Sequence, residues 1–260
     1  DLAAQKADVT QREINVASAP FNAKGDDVTD DTDAIQNAIN SLPNGGIVFL
    51  PRGTFRVRTN INLPSNVILR GAGWTITFIK PLNSAVIATN TGIVQTKDFL
   101  PDRNVWNYYS PYPTGLHMGV GIENLTIDGN RANQSTGNGL AIYGGKWTLR
   151  QVGVINTAEH GIWTECGVTG NSTSGSDLED FINMHECTAE QVFICNTNKH
   201  GWNFRGANDS YINNVQIKST GWSGFSFPTG ATFANGGLKV GTLHAYGTNL
   251  AGDDPTGYSI

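Results

Sequence analysis

Three carboxylate side chains are spaced so that they could act together in chemistry. Glu165 belongs to the stretch "HGIWTECG" (160–167), and Asp177 and Asp180 follow it in a segment rich in Ser and Gly. Hydrolysis of a glycosidic bond needs two carboxyl groups roughly 5 to 9.5 Å apart, one protonated as the acid and one ionised as the base or nucleophile. We therefore expect Glu165 with Asp177 or Asp180 to form a catalytic pair. The alternative is that these acids only solvate a polar loop.

Candidate substrate-binding residues accompany Glu165 in the sequence pattern: they are Tyr143, Trp163, Asn203 and Arg205. Aromatic rings stack on the apolar faces of sugars, whereas amide and guanidinium groups bond hydroxyls or a carboxylate. A lyase would instead need a base and cations that neutralise a uronate carboxyl, and Arg205, Lys199 and His200 could supply them. The alternative to a binding surface is a solvated face with a weak Glu165–Arg205 ion pair.

An internal repeat positions these residues. Four segments begin with a glycine and continue as a short apolar strand: "GLAIYG" from Gly139, "GIWTECG" from Gly161, "GWNFRG" from Gly201 and "GFSFPT" from Gly224. Their spacings are 22, 40 and 23 residues, so the middle interval equals one repeat plus an insertion. Short strands separated by turns at this period predict a parallel β-solenoid, in which stacked coils bury one continuous core.

Strand alternation assigns a direction to each side chain of the repeat. The residues that follow the glycines are expected to point inward: Leu140, Ile162, Trp202 and Phe225. The outward columns are then Ala141–Trp163–Asn203–Ser226 and Tyr143–Glu165–Arg205–Pro228. Because successive coils stack about 4.8 Å apart, we expect the second column to form a continuous exposed stripe, with Trp163 and Asn203 beside it.

The segments before the glycines repeat as well. "VGVINTAEHG", "VFICNTNKHG" and "VQIKSTGWSG" superpose without gaps, which aligns three valines in one inward column: Val152, Val192 and Val215. Asn156 and Asn196 share a turn position, where asparagine side chains of successive coils can bond one another. His160 and His200 are expected to stack at the next turn. Without a third ligand they indicate a turn and not a metal site, and we expect no metal and no other cofactor.

One helix precedes the repeats, in the segment "TDDTDAIQNAINSLPNGG". Four residues at i, i+3, i+4 and i+7 form its apolar face: Ile35, Ala38, Ile39 and Leu42. Asp30 or Asp31 is expected to cap its N-terminus, and Pro43 to end it. A lone amphipathic helix before a solenoid is expected to cover the open end of the core.

Composition excludes several classes of protein. Only 15% of the residues are charged and 31 are glycine, which favours β-structure with many turns over a helical bundle. A net charge of −5 offers no basic surface for nucleic acid, and the apolar runs are too short to span a membrane. Cys166, Cys187 and Cys195 lack metal-like spacing and are expected to be small buried residues without a disulfide framework.

Three stretches carry a resemblance to a known group of proteins. They are "FNAKGDDVTDDTDAIQNAINSLPNGGIVFLPRGTFRV" (21–57), "VILRGAG" and "IENLTIDGN". Together they resemble the pectate-lyase-like right-handed β-helix superfamily, whose members include polysaccharide lyases, glycoside hydrolases, uronan epimerases and bacteriophage tailspike depolymerases. The resemblance implies an all-β fold, a right-handed parallel β-helix with a short N-terminal capping helix, and extracellular polysaccharide as the substrate class.

The first residues are similar to those of the tailspike branch. "DLAAQKADVTQ" looks like the polar neck segments that precede tailspike β-helices, the alternative being a flexible tail. We therefore expect a neck or linker over residues 1–14 and a β-helix domain over residues 15–260 whose last coil is unfinished. The branch implies a homotrimer located in the virion, on the phage tail, or outside the cell.

The resemblance also bears on the reaction. Mannuronan epimerases share "LTIDGNR" with this chain but carry an Asp-Pro-His triplet where it has Trp163, Thr164 and Glu165, so epimerase chemistry is not expected. The sequence predicts a tailspike-type depolymerase that binds and cleaves a bacterial capsular or surface polysaccharide by hydrolysis, with lyase chemistry left open. The alternatives are a non-catalytic virion or adhesin β-helix and a secreted pectinolytic lyase. We expect neither nucleic acid nor a membrane as a partner.

Overall fold

The computed structural model describes residues 12–99, 117–165, 186–205, 210–226 and 238–250. In these ranges the chain forms a right-handed parallel β-helix with one α-helix, α1 (Thr32–Asn40), in its first coil. The predicted fold class is therefore confirmed. Pairing between coils is parallel throughout the described strands, as expected for coils that all wind in one direction.

Each coil contributes strands to three faces of the β-helix. Face 1 contains β1 (Glu13–Asn15), β3 (Gly46–Leu50), β6 (Val67–Gly71), β18 (Lys239–Val240) and the first halves of β10 (Gly121–Asp128), β12 (Thr148–Thr157), β14 (Thr188–Thr197) and β16 (Tyr211–Thr220). Face 2 contains β2 (Asp26–Asp30), β4 (Gly53–Val57), β7 (Thr77–Pro81), β19 (Leu243–Tyr246) and the second halves of those four long strands. Face 3 contains β5 (Ile61–Leu63), β8 (Gly92–Thr96), β11 (Asn138–Gly145), β13 (Ile162–Glu165), β15 (Trp202–Arg205) and β17 (Phe225–Ser226).

A short β9 (His117–Met118) pairs with the end of β11, and Arg131–Asn133 form a 3₁₀-helix. β1 already includes Glu13 and Ile14, which the sequence analysis placed in the N-terminal segment.

The long strands bend between face 1 and face 2 at one residue in the left-handed conformation. These residues occupy one column and have φ values between 52° and 56°: Asn124, Gln151, Gln191 and Asn214. A single residue with positive φ turns the chain sharply while the pairing on either side stays in register, as in Arg150↔Glu190 before the bend and Val152↔Val192 after it. The bends therefore set the cross-section of the β-helix.

The register of the repeat agrees with the sequence alignment. Leu140, Ile162, Trp202 and Phe225 are Cα partners in face 3 and are buried in the core. The valine column of face 2 is paired and buried in the same way. The predicted inward columns are therefore confirmed. Aromatic residues fill the interior of the last coils, where the Trp202 ring lies 5.5 Å from that of Phe225.

A polar ladder stabilises the corner that follows face 2. Asn156 and Asn196 both have positive φ, and the Asn196 side-chain amide donates to Asn156 Oδ1 over 2.6 Å. The Asn156 amide in turn donates to Asp128 Oδ1 over 3.1 Å in the preceding coil. The predicted asparagine ladder is confirmed and extends to an aspartate, which the sequence alignment had not included.

Helix α1 takes the place of a face 3 strand in the first coil. Ile35, Ala38 and Ile39 are fully buried against the core, as predicted for a cap. Gln36 makes the contact with the sheet edge: its Oε1 accepts from the backbone N–H of Asn62 (2.9 Å) and its Nε2 donates to the Asn62 carbonyl (3.0 Å). One glutamine amide thus satisfies backbone groups of β5 that would otherwise form an open edge.

The ends of α1 differ from the expectation. The helix stops at Asn40, so Leu42 lies beyond it, although its side chain remains buried. Asp31 occupies the N-cap position but makes no capping bond, because its carboxylate accepts from the backbone N–H groups of Lys24 (2.6 Å) and Gly25 (2.9 Å). Burial raises the pKa of Asp31 above its ordinary value, against the lowering effect of these two hydrogen bonds. Asp30 Oδ1 instead accepts from the Thr32 N–H over 3.0 Å.

The described cysteines are not in disulfides, and of the two only Cys187 has the burial that the sequence predicts. Cys187 is fully buried and Cys195 is half-buried, whereas Cys166 lies outside the described residues. Burial in apolar surroundings raises the pKa of the Cys187 thiol to about 11.

The asparagine ladder predicts how two substitutions of Asn196 will differ. Asn196→Gly removes the hydrogen bond but tolerates positive φ, so we expect a loss of about 1 kcal/mol in the free energy of unfolding. Asn196→Ala removes the bond and also places a Cβ in the left-handed conformation, so we expect roughly 2 to 3 kcal/mol. Urea unfolding measures both; equal losses would contradict the role given to the backbone conformation.

The raised pKa of Cys187 predicts its reactivity. At pH 8 only about one thiol in a thousand is ionised, so iodoacetamide should leave Cys187 unmodified in the folded protein while the half-buried Cys195 reacts faster. Peptide mapping by mass spectrometry measures each site. Both thiols should react at similar rates in urea, and equal rates in the native protein would show that Cys187 is not enclosed.

Candidate functional site

The candidate site lies on the outer side of face 3. Backbone pairing makes Tyr143 and Arg205 the Cα partners of Glu165 in the coils before and after it. The neighbouring outward column, Ala141–Trp163–Asn203–Ser226, is paired as the sequence predicts. The register therefore brings the predicted binding residues and Glu165 together in one patch.

The described side chains of this patch are enclosed, and the expectation that Tyr143, Trp163 and Asn203 are exposed is wrong. Tyr143 is 1% exposed, Trp163 4% and Asn203 5%. Phe99, Ala141, Tyr143 and Trp163 form a second hydrophobic cluster, separate from the core of the β-helix. The alternation of a strand shows which side of the sheet a residue occupies, but it carries no information on what lies over that side. The outward direction was correct and the solvent exposure was not.

Trp163 is held between two rings. The Phe99 ring meets it edge-on with centroids 6.4 Å apart, and the His160 ring does so at 5.2 Å. Phe99 was not recognised from the sequence, because it follows β8 in a segment with no counterpart in the repeat. These two ring contacts hold the indole on the outer side of face 3.

The three predicted catalytic carboxyls fall at the limit of the described chain. Glu165 is the last residue of β13, and its backbone position is fixed by pairing on both sides. Asp177 and Asp180 belong to residues 166–185, which lie outside the described residues. Their predicted pairing with Glu165 stays a prediction.

Asn203 supplies a buried polar group in the patch. Its Oδ1 is enclosed and has no hydrogen-bond partner among the described residues. An unsatisfied buried acceptor costs roughly 1 to 3 kcal/mol, so a hydroxyl group that donates to it would be favourable. This is the chemistry that the sequence analysis assigned to Asn203.

A column of side chains supports the patch at the corner before face 3. The His160 N–H donates to Asn138 Oδ1 (3.0 Å), and the His200 N–H donates to His160 Nδ1 (3.2 Å). His160 Nδ1 must therefore be unprotonated, with the ring proton on Nε2. The His160 and His200 rings stack with centroids 5.1 Å apart and an angle of 15° between them. The predicted stacking and turn role are confirmed.

Glu159 was missed as a structural residue of the same corner. It is 3% exposed, and its Oε2 accepts from the N–H groups of Asn90 (2.6 Å) and Gly137 (2.9 Å). Its Oε1 accepts from Lys199 Nζ (2.8 Å), and this ammonium also lies over the Trp222 ring. The aligned segments "TAEHG" and "TNKHG" place Glu159 and Lys199 in one column, which was the available signal. Lys199 and His200 are thus engaged in the corner.

Two further classes of site were tested on the described ranges. No group of three or more His, Cys, Asp or Glu residues there is close enough to hold a metal ion. In the same ranges, none of the helices combines the length and the apolar character needed to cross a membrane.

Comparison with known proteins identifies the family. Residues 14–240 match the family model described as rhamnogalacturonase A/epimerase, pectate lyase-like. The chain belongs to this family. The match covers nearly all of the β-helix and confirms the resemblance drawn from segment 21–57 and its successors.

Two relatives and one solved structure show how this pectate-lyase-like chain compares with longer proteins. It is 28% identical over 195 residues to the pre-neck appendage protein of Bacillus phage phi29, which covers 68% of this chain and 20% of the relative. It is 38% identical over 122 residues to alginate lyase 7 of Azotobacter vinelandii, covering 44% of this chain and 12% of that protein. The structure of the tailspike protein of Acinetobacter baumannii bacteriophage Fri1, a capsular polysaccharide depolymerase, superposes with a TM-score of 0.62 at 15% identity, covering 91% of this chain and 42% of that one. The chain spans about a fifth of the length of the phi29 relative.

The corner column predicts how His160 can be replaced. Asn138 already performs the same task one coil earlier, so His160→Asn should keep an acceptor for the His200 N–H and most of the stability. His160→Leu leaves that buried N–H without a partner and should lower the free energy of unfolding by roughly 1 to 3 kcal/mol more. Chemical denaturation compares the two variants. A leucine variant as stable as the asparagine variant would contradict the ladder.

Proposed function

We propose that this protein is a tailspike-type polysaccharide depolymerase that binds and cleaves a bacterial capsular or surface polysaccharide by glycoside hydrolysis. One observation carries the proposal: the register of face 3 fixes position 165 between Tyr143 and Arg205, next to an enclosed aromatic cluster. A carboxylate residue at that position has binding residues on both sides along the axis. The scaffold that holds it is a rigid stack of paired strands.

The relatives support the substrate class and the location. The phi29 relative is a phage appendage protein, and the Azotobacter relative is an alginate lyase. The phage similarity supports a place in the virion, on the phage tail, and assembly as a homotrimer is part of the same proposal. Polysaccharide is the ligand class common to the lyase and to the depolymerase whose fold this chain shares.

Glu165 is the proposed general acid. The register places this position between Tyr143 and Arg205, in the column where the substrate is proposed to bind. Asp177 or Asp180 is proposed as the ionised partner that acts as base or nucleophile.

The enclosure of the patch assigns different roles to the proposed binding residues. Trp163 and Tyr143, being almost fully buried, form an apolar wall and not an open stacking surface. Asn203, with its unsatisfied Oδ1, is proposed to accept a hydroxyl of the substrate. Arg205, beside Glu165 in the register, is proposed to bond a hydroxyl or an acidic substituent of the sugar.

Lyase chemistry is the second candidate, and the similarity to an alginate lyase favours it. A lyase needs a cation to neutralise the uronate carboxyl and a base to abstract the neighbouring proton. Lys199 and His200, which the sequence offered for these roles, are tied into the corner by Glu159 and by the His160 stack. Of the three residues that the sequence offered for lyase chemistry, Arg205 remains for the role of the cation. Hydrolysis therefore stays the first proposal.

Glu165→Gln tests the proposal on purified capsular polysaccharide. We expect kcat/KM for release of reducing ends to fall by roughly 100-fold or more, with the thermal unfolding temperature unchanged. Ultraviolet absorbance of unsaturated sugars distinguishes elimination from hydrolysis in the same assay.

The matched control is Glu186→Gln, which removes an exposed carboxylate that lies 3.6 Å from Lys146 Nζ. This variant should cleave as the unsubstituted protein does. Normal cleavage by Glu165→Gln would remove Glu165 from the catalytic pair. A protein that binds capsule and releases no reducing ends or unsaturated sugars would be a non-catalytic β-helix.

A further inference from the structure

A second surface of the β-helix lies away from face 3, at the corner between faces 1 and 2. Its first element is the loop 72–76, which connects β6 to β7 and projects from the corner. The loop is held by bonds from the Ala72 N–H to the Leu50 carbonyl (3.0 Å) and from the Gly53 N–H to the Ile76 carbonyl (2.9 Å). A turn inside it joins the Ile76 N–H to the Gly73 carbonyl over 3.0 Å.

Trp74 is presented to solvent by this loop. The residue is 38% exposed, which is high for a tryptophan, and its carbonyl accepts from the Thr126 hydroxyl of the next coil over 2.6 Å. Gly153 makes room for that hydroxyl, because a Cβ at position 153 would overlap it. The loop therefore lies against the β-helix, with its main chain fixed and its indole exposed.

Exposed amides continue along the axis from Trp74. The next coil has the half-buried Asn124 at this corner, and the three coils after it have Gln151, Gln191 and Asn214, all exposed. The three corners are successive strands of one ladder, so they span about 10 Å, with Trp74 two coils before Gln151. We call Trp74, Gln151, Gln191 and Asn214 the amide strip.

The backbone conformation at two of these corners does not explain why glutamine occurs there. Gln151 and Gln191 have φ values of 52° and 56°, a conformation that glycine adopts freely and asparagine more readily than glutamine does. Strained residues persist where another constraint selects the side chain, and such residues cluster at binding sites. A long exposed amide at two successive corners is therefore a feature of the surface and not a requirement of the bend.

The surroundings of the amide strip fit a carbohydrate. On the face 2 side, Phe193 is half-buried and Gln216 is exposed in the column that starts at Thr126 and Gly153. On the face 1 side, Arg150 is half-exposed and its guanidinium donates to Glu123 over 3.1 Å. Amides can both donate to and accept from sugar hydroxyls, and aromatic rings stack on sugar faces.

We propose that the amide strip binds a polysaccharide chain laid parallel to the axis of the β-helix, as a site separate from the proposed cleavage site on face 3. The inference rests on the proposed function for the class of ligand. Trp74 stacks on one sugar ring, and the side-chain amides of Gln151, Gln191 and Asn214 bond hydroxyls of the following sugars. The side-chain amides of the strip suit the hydroxyl groups of a polysaccharide, and a second copy of the chain is the alternative outcome of the test below.

Affinity electrophoresis tests the amide strip with named probes. Native gels containing purified bacterial capsular polysaccharide, alginate, polygalacturonate or dextran measure retardation of the protein. On the polysaccharide that retards the unsubstituted protein most, we expect Trp74→Ala and the double variant Gln151→Ala/Gln191→Ala each to raise the dissociation constant roughly tenfold. Val86→Ala, which shortens an apolar side chain that is 76% exposed elsewhere, is the matched control and should bind normally.

Glycine variants separate binding from folding. Gln151→Gly and Gln191→Gly relieve the left-handed conformation, so the thermal unfolding temperature should stay the same or rise while retardation weakens. A purely structural role would lower stability and binding together, and unchanged binding in all four variants would overturn the proposal. Light scattering on Trp74→Ala provides a further test: a loss of oligomeric mass would show that the strip is an interface between copies.

The outcome can be told apart from that of the proposed function. Glu165→Gln should lose cleavage and keep full retardation, whereas the amide strip variants should show weaker retardation and keep cleavage of short oligosaccharides. If the strip variants bind normally while Glu165→Gln is inactive, the strip proposal fails and the proposed function stands. If the unsubstituted protein is retarded by none of the probes, both fail.

Discussion

The whole structure depends on the parallel stacking of coils in one register. Successive coils add strands to three faces, and main-chain hydrogen bonds hold neighbouring strands about 4.8 Å apart. Side chains at equivalent positions must therefore form columns, and a residue that suits one coil must also suit its neighbours. Three columns satisfy that constraint with different kinds of side chain: the apolar valine column, the asparagine ladder and the stack of imidazole rings.

The constraint explains what the sequence predicted. A slip of one residue would turn every apolar side chain of a strand outward, so the repeat of glycine and apolar residues determines both register and direction. The repeat does not determine whether an outward side chain is exposed to solvent. The sequence predicts the correct side of face 3 for Trp163, yet this side chain is buried. Phe99, which contacts it, comes from a segment outside the repeat, so the repeat pattern does not predict where Phe99 lies. The contact of Gln36 was not predicted for a similar reason, because its partner Asn62 lies in the following coil.

Function is expected where the columns stop being uniform. In the corner before face 3, the side chains of Asn138 and His160 each accept a main-chain N–H of the next coil, so they serve to build the turn. In face 3 the outward residues differ from coil to coil, and Asn203 keeps a buried oxygen without a partner among the described residues. At the opposite corner, long amides occupy a backbone conformation that does not favour them. These departures from the repeat are the basis for placing cleavage and binding on different sides.

The central claim is that the polysaccharide is cleaved on the outer side of face 3 at position 165. A crystal structure of the Glu165→Gln variant, soaked with an oligosaccharide of the polysaccharide that the protein cleaves, tests this claim directly. The account predicts sugar density that crosses β11, β13 and β15, with the scissile bond next to residue 165 and a hydroxyl bonded to Asn203. Sugar density confined to other parts of the β-helix, with face 3 unchanged, would contradict it.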